Sequence, residues 1–219
     1  MYLTHLVFAI LVAAAITDVG STTTPENETH TDAWKTVSQN ETFYMMYRSY
    51  EYDAGVGGTG KCVSVKLCEK NDTTRTARSR IMYRDAQTTQ LMGFTARVTM
   101  ARSWNSTVDD IIRLGNADNC TAPANAATAE YRLVYSDYTT CDVMVVFGTL
   151  EPRCELWVKD GKQQLIKNNT EASTTGGDSE TSKNITKCQE EYDNLCKVKY
   201  QIYDRDICSS SMIWPNESH

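Results

Sequence analysis

Two acidic residues each follow a cysteine directly, in Cys141-Asp142 and Cys154-Glu155, and Trp157 stands two positions beyond the second. Carboxylates beside an indole suit the capture of a cation, through charge-assisted hydrogen bonds and contact with the ring face. Paired acids also cleave glycosides, but nothing in the chain suggests a sugar cleft. Nucleophilic catalysis needs a histidine held beside a serine or cysteine. Beyond an N-terminal apolar run the histidines are His30 and His219, both near chain ends, so the chain reads as a non-enzyme. The same scarcity, with no Cys-x-x-Cys pair, argues against zinc, and no cofactor is expected.

The cysteines decide where the acids point. Cys188, Tyr192, Leu195 and Cys196 fall at i, i+4, i+7 and i+8, one face of a helix over 184–198, and Thr186 with Gln189 resembles a capping box at its start. Cys188 and Cys196 then lie about 12 Å apart along that helix. If the helix packs outside a β-barrel and bonds Cys141 and Cys154, both strand cysteines point outward, whichever partner each takes. Side chains alternate across a strand, so Asp142 and Glu155 point inward, with Met144 and Val146 beside the first and Trp157 beside the second. Buried acids are costly unless paired, and neighbouring acids raise each other's pKa. A ligand ammonium relieves that cost. So does internal pairing with Arg97 or Arg132, or water at a barrel mouth.

The elements for such a barrel are present. Apolar residues from Leu6 to Ile16 are too few to span a bilayer and read as part of a signal peptide over 1–21. A polar segment, 22–31, leads into a short helix around Ala33-Trp34-Lys35, with Trp34 read as a core plug. Strands are expected over Thr42–Tyr52, Lys61–Leu67, Arg80–Arg84, Gly93–Arg102, Val108–Leu114, Glu130–Ser136, Asp142–Phe147 and Glu155–Lys159. Gly55, Gly57, Gly58 and Gly60 mark a flexible loop between the first two. With no helical crossover among them, eight antiparallel strands favour an up-and-down barrel with room for one small ligand. Ser, Thr and Gly make 168–183 a linker before the C-terminal helix, and 209–219 reads as a flexible tail.

The chain's eight cysteines, Cys62, Cys68, Cys120, Cys141, Cys154, Cys188, Cys196 and Cys208, are an even set behind a signal peptide and imply bridges in an oxidising compartment. Acceptor sequons at Asn27, Asn40, Asn71, Asn105, Asn119, Asn168, Asn184 and Asn216 place those positions on surface loops of a secreted glycoprotein. A formal charge of −6 supplies no basic face for nucleic acid, and no further stretch is apolar enough for a membrane span.

These residues resemble the lipocalins of tick saliva, specifically the histamine- and serotonin-binding group. The likeness is carried by His30-Thr31-Asp32-Ala33-Trp34-Lys35, Phe43-Tyr44-Met45 and Tyr135-Ser136-Asp137, and most strongly by Cys141-Asp142-Val143, Glu155-Leu156-Trp157 and Cys188. It spans 32–208. It implies an all-β fold, an eight-stranded antiparallel lipocalin barrel with a short N-terminal helix and a C-terminal helix packed outside. It also implies bridges Cys62–Cys208 and Cys141–Cys188, which leave Cys154–Cys196 and Cys68–Cys120 to pair. By position Tyr50, Asp53 and Glu155 resemble the amine-holding residues of the family's tighter pocket, with Trp157 nearby and Thr36 as its hydroxyl residue. The second pocket departs from the pattern: Val56, Ala96 and Tyr131 stand at positions of a Trp, a Glu and a carboxylate, Asn40 replaces another acid, and Asp142 is the one retained acid.

The expected function is therefore a secreted, extracellular, monomeric binder that sequesters a host biogenic amine at the bite and so evades host defence. One rival is a carrier for an apolar mediator (a leukotriene, thromboxane or sterol), which needs Arg97 or Arg132 facing inward for an anionic headgroup. The other is a modulator of a host immune protein acting through exposed loops.

Overall fold

A computed structural model describes residues 31–117, 124–166 and 179–208. The chain opens with α1 (Ala33–Val37), capped by the Asp32 carboxylate accepting from the Trp34 N–H at 3.1 Å. Eight strands follow: β1 (Phe43–Arg48), β2 (Lys61–Asn71), β3 (Thr76–Arg84), β4 (Leu91–Ala101), β5 (Ile111–Ala117), β6 (Ala124–Ser136), β7 (Cys141–Val146) and β8 (Cys154–Lys159). Each pairs antiparallel with the next, β8 returns to β1, and β1 also pairs with β2, so the sheet closes into a barrel. The long helix α2 (Ser179–Leu195), the two-residue strand β9 (Tyr200–Gln201) on β1, and α3 (Arg205–Cys208) complete the described chain.

Alternation along the strands sorts the residues. Val63, Val65 and Leu67 of β2, Ala96 and Val98 of β4 and Ile112 and Leu114 of β5 face the interior. Trp34 is buried among Ala77, Val98, Ile112 and Leu133, the core plug expected of it. On the outer face, Val143, Leu156 and Val158 of β7 and β8 would be exposed apolar surface were they not covered by Ile185, Cys188, Tyr192 and Cys196 of and just beyond α2. Fully burying a side chain such as Ile185 is worth about 1.5–3 kcal/mol. This contact and the disulfides at Cys188 and Cys196, rather than helix propensity, hold α2 on the barrel.

The strands run longer than their visible alternation. At the barrel ends both faces carry polar residues, as in Glu69, Lys70 and Asn71 of β2, and the hydrophobic period fades while the backbone ladder continues. The fifth strand starts at Ile111 rather than Val108, and Asp110 before it is buried against Ser103. Three expectations about the C-terminal helix need correction. α2 begins at Ser179, inside the stretch read as linker. Thr186 and Gln189 therefore lie within it and form no capping box; Thr186 Oγ1 donates to the Ser182 carbonyl and Gln189 Nε2 to Tyr47 Oη. Leu195 is 42% exposed, and Ile185, one turn before Cys188, takes its place on the buried face.

The disulfides are Cys62–Cys208, Cys141–Cys188 and Cys154–Cys196. Cys68 is also disulfide-bonded, and Cys120, its expected partner, lies outside the described residues. So do 1–30, the remainder of the 168–183 segment up to 178, 209–219, and the sequons at Asn27, Asn119, Asn168 and Asn216. Asn40, Asn71 and Asn105 are exposed, whereas Asn184 sits half-buried on α2.

Candidate functional site

β7 and β8 form one wall of the interior. Their register sets Asp142 opposite Trp157 and Met144 opposite Glu155, while Cys141 and Cys154 fall on the other face. The bridges to Cys188 of α2 and to Cys196 just beyond it hold that outer face, so the inward direction of both acids follows from covalent geometry and the two-residue strand period. Asp142, Met144, Glu155 and Trp157 all line a cavity of about 120 Å³. Val56 and Ala96 line it as well; the remaining walls are largely Val, Leu, Ile, Phe and Met.

Glu155 is 2% exposed. Its Oε2 accepts from Trp157 Nε1 at 2.9 Å and its Oε1 from Tyr50 Oη, and that same phenol lies 3.3 Å from Asp53 Oδ2. Burial pushes the Glu155 carboxyl up to about 7; the charge of Asp53 adds to this, and the bonds from Tyr50 and Trp157 oppose it. Burial also raises the Tyr50 phenol, with Glu155 adding to the effect, so Tyr50 keeps its proton and donates it. Tyr131 on β6, two strands along the sheet from β8, is raised first by the Glu155 charge and then by burial.

The segment carrying Tyr50 and Asp53 is built by Arg48, a residue that sequence reasoning missed. Arg48 is 0% exposed. Its Nε donates to the Tyr50 carbonyl at 2.9 Å, and its Nη2 donates to the carbonyls of Glu51 and Gly58 at 2.6 Å each. Its Nη1 stands 3.9 Å from Asp53 Oδ2. Arg153 lays its guanidinium on the Tyr50 ring, 3.9 Å from the centroid. The glycine-rich segment is a defined turn rather than a loose loop. Asp53 and Gly58 exchange backbone hydrogen bonds at 2.9 and 2.7 Å, and Asp53 Oδ1 caps the turn at the Gly55 N–H. Gly57 has φ of 75°, and a Cβ there would meet the Tyr83 ring at 2.5 Å. The signal for Arg48 was a lone charge ending the apolar run Phe-Tyr-Met-Met-Tyr, which reads equally well as a solvated strand end.

Asp142 is 1% exposed and lies at the other end of the same wall. Thr36 Oγ1 donates to its Oδ1 at 3.2 Å and lies 3.2 Å from Ser136 Oγ. Burial pushes the Asp142 carboxyl up to about 7, opposed by the Ser136 and Thr36 hydroxyls. Thr36 is thus a partner of Asp142, not of the Tyr50–Asp53–Glu155 group beside which the resemblance placed it, because α1 packs at the Asp142 end of the barrel. Internal pairing through Arg97 or Arg132 is not what the fold uses. Arg97 is exposed on β4 between the inward Ala96 and Val98, and Arg132 ion-pairs with Asp110 at 3.4 Å.

The family described as tick histamine binding protein matches residues 21–210 of this chain. A male-specific histamine-binding salivary protein of Rhipicephalus appendiculatus is 28% identical over 166 residues, 72% of this chain and 80% of that protein. Among solved structures, insecticyanin from the tobacco hornworm Manduca sexta aligns with a TM-score of 0.51 at 7% identity, over 81% of this chain and 84% of its own, a likeness of fold alone. Japanin from Rhipicephalus appendiculatus, solved bound to cholesterol, aligns with a TM-score of 0.47 at 13% identity, over 78% of this chain and 97% of its own.

Proposed function

The chain belongs to the tick histamine-binding protein family, and from that premise we propose that it is a secreted salivary carrier, acting as a monomer, that sequesters one host biogenic amine, histamine or serotonin, in its barrel. It is a ligand-binding lipocalin and not an enzyme. Its sequence from Met1 to Ser21 serves as the signal peptide, and the exposed sequons at Asn40, Asn71 and Asn105 carry glycans.

One observation carries the amine reading. Glu155 is an acid buried in an apolar cavity, with two donors aimed at its oxygens and a second carboxylate, Asp53, on the same phenol. Without a ligand it retains its proton up to about pH 7. An ammonium placed between Glu155 and Asp53 supplies the missing counter-charge, and the Trp157 indole offers an aromatic neighbour. Arg48 offsets one of the two negative charges, which suits the site to a monocation. Scavenging needs no turnover: tight binding and abundant secretion lower the free amine in proportion to the protein supplied. A carrier for an acidic lipid mediator, a leukotriene or a thromboxane, would need a cation for its carboxylate, and neither Arg97 nor Arg132 lines the cavity.

Calorimetry of the disulfide-bonded mature protein with histamine and serotonin tests the reading. One molecule of either amine per chain is expected. Absence of binding by both, or a co-purified lipid in native mass spectrometry that neither amine displaces, overturns it.

A further inference from the structure

Asp142 presents a need that the ammonium pocket leaves unmet. Its Oδ1 is held by Thr36, but its Oδ2 is buried and makes no hydrogen bond. A buried carboxylate oxygen without a donor forfeits more than a neutral acceptor does. The adjacent indole does not serve it, because Trp157 Nε1 is turned to Glu155. Among the described residues Asp142 lines the same single cavity as Glu155. By register the two stand one on β7 and one on β8, two residues apart along neighbouring strands, with Cα atoms about 8 Å from each other. Met144 and Trp157 fill the wall between them. The cavity they share has a volume of about 120 Å³.

We propose that Asp142 Oδ2 accepts a hydrogen bond from the far end of the same ligand whose ammonium sits on Glu155. The site then takes one aromatic amine carrying a second hydrogen-bond donor, a hydroxyl or a ring N–H, on the side of the ring opposite its ethylammonium arm. The ring lies along Met144 and Trp157, and the two acids act as one specificity device rather than as two separate sites. Both histamine and serotonin meet that description. An aromatic amine without the distal donor leaves the Asp142 oxygen desolvated and unpaired, which is the arrangement that gives strong discrimination. This inference rests on the amine reading of Glu155.

Calorimetry with tyramine and 2-phenylethylamine, which differ by one para hydroxyl, separates the two ideas. With the unmodified protein tyramine is expected to bind at least about tenfold tighter, at one molecule per chain. In Asp142→Leu that preference falls to within about threefold. Should the leucine variant not fold, Asp142→Asn keeps the Thr36 bond, removes the unpaired oxygen, and is expected to shrink the preference in the same direction. Equal binding of both probes to the unmodified protein, or two molecules of tyramine per chain, overturns the bridging role while leaving the Glu155 reading intact. Binding of neither probe, nor of histamine or serotonin, overturns both.

Discussion

Replacing Glu155 with glutamine removes a charge and leaves the shape, and it should move ligand affinity and stability in opposite directions. In the ligand-free protein the carboxylate is buried and its pKa lies at about 7 rather than 4.5. The native state therefore binds that proton more tightly than the unfolded chain does. The stabilisation is complete below about pH 4.5 and is lost as pH rises through 7, at a cost of roughly 3 kcal/mol once the group is ionised. Glutamine never pays that cost. Its amide oxygen can accept from Trp157 Nε1 while its NH₂ donates to Tyr50 Oη, which frees the phenol to donate to Asp53 Oδ2 at 3.3 Å. Glu155→Gln should then be more stable than the parent at pH 8, by up to roughly 3 kcal/mol in urea unfolding, and indistinguishable from it near pH 4. Its affinity for histamine or serotonin should fall by about 1.5–3 kcal/mol, roughly ten- to 150-fold, because a charge-assisted hydrogen bond becomes a neutral one. A variant that binds amine as tightly as the parent, or that loses stability at pH 8, shows that Glu155 is not a buried acid awaiting a cation.

The same acid makes amine binding pH-dependent. If the bound ammonium requires ionised Glu155, affinity should rise about tenfold per unit between pH 5 and 7 and level off above, with proton release on binding near pH 6 measured by calorimetry in buffers of different ionisation enthalpy. Arg48→Met strips donors from three backbone carbonyls and the counter-charge from Asp53. It should cost at least about 3 kcal/mol in unfolding experiments and abolish amine binding, whereas a mere surface arginine would cost nothing measurable. Replacing Cys154 and Cys196 together by alanine opens a link across 42 residues of sequence. The expected loss is about 4 kcal/mol, with a larger drop in amine affinity than removal of the Cys62–Cys208 bridge, because Cys154 directly precedes Glu155.

The direction of the two acids was legible before any coordinates because thiol and carboxylate are adjacent residues on strands. A bridge to an outside helix fixes one face, and the strand period fixes the other. The barrel was legible for a related reason: strands such as Lys61–Leu67 show their alternation wherever one face meets the apolar interior and the other meets solvent. What failed to show itself depended on chain reversal. Arg48 is buried only because the segment after it folds back and offers three carbonyls, and no local pattern announces that. Thr36 went to Asp142 because the position of α1 at one end of the barrel is a tertiary fact. The first turn of α2 lies in Ser-, Thr- and Lys-rich sequence whose composition reads as linker. The contact that makes it helical, Ile185 under the barrel wall, is made one turn later.

A crystal structure of the mature protein grown with serotonin near pH 7.5 would decide the matter. The expected map has one ligand in the barrel, its ammonium nitrogen within hydrogen-bonding distance of both Glu155 and Asp53. A ligand seated elsewhere with water on Glu155, or a map with Glu155 turned to solvent, contradicts it.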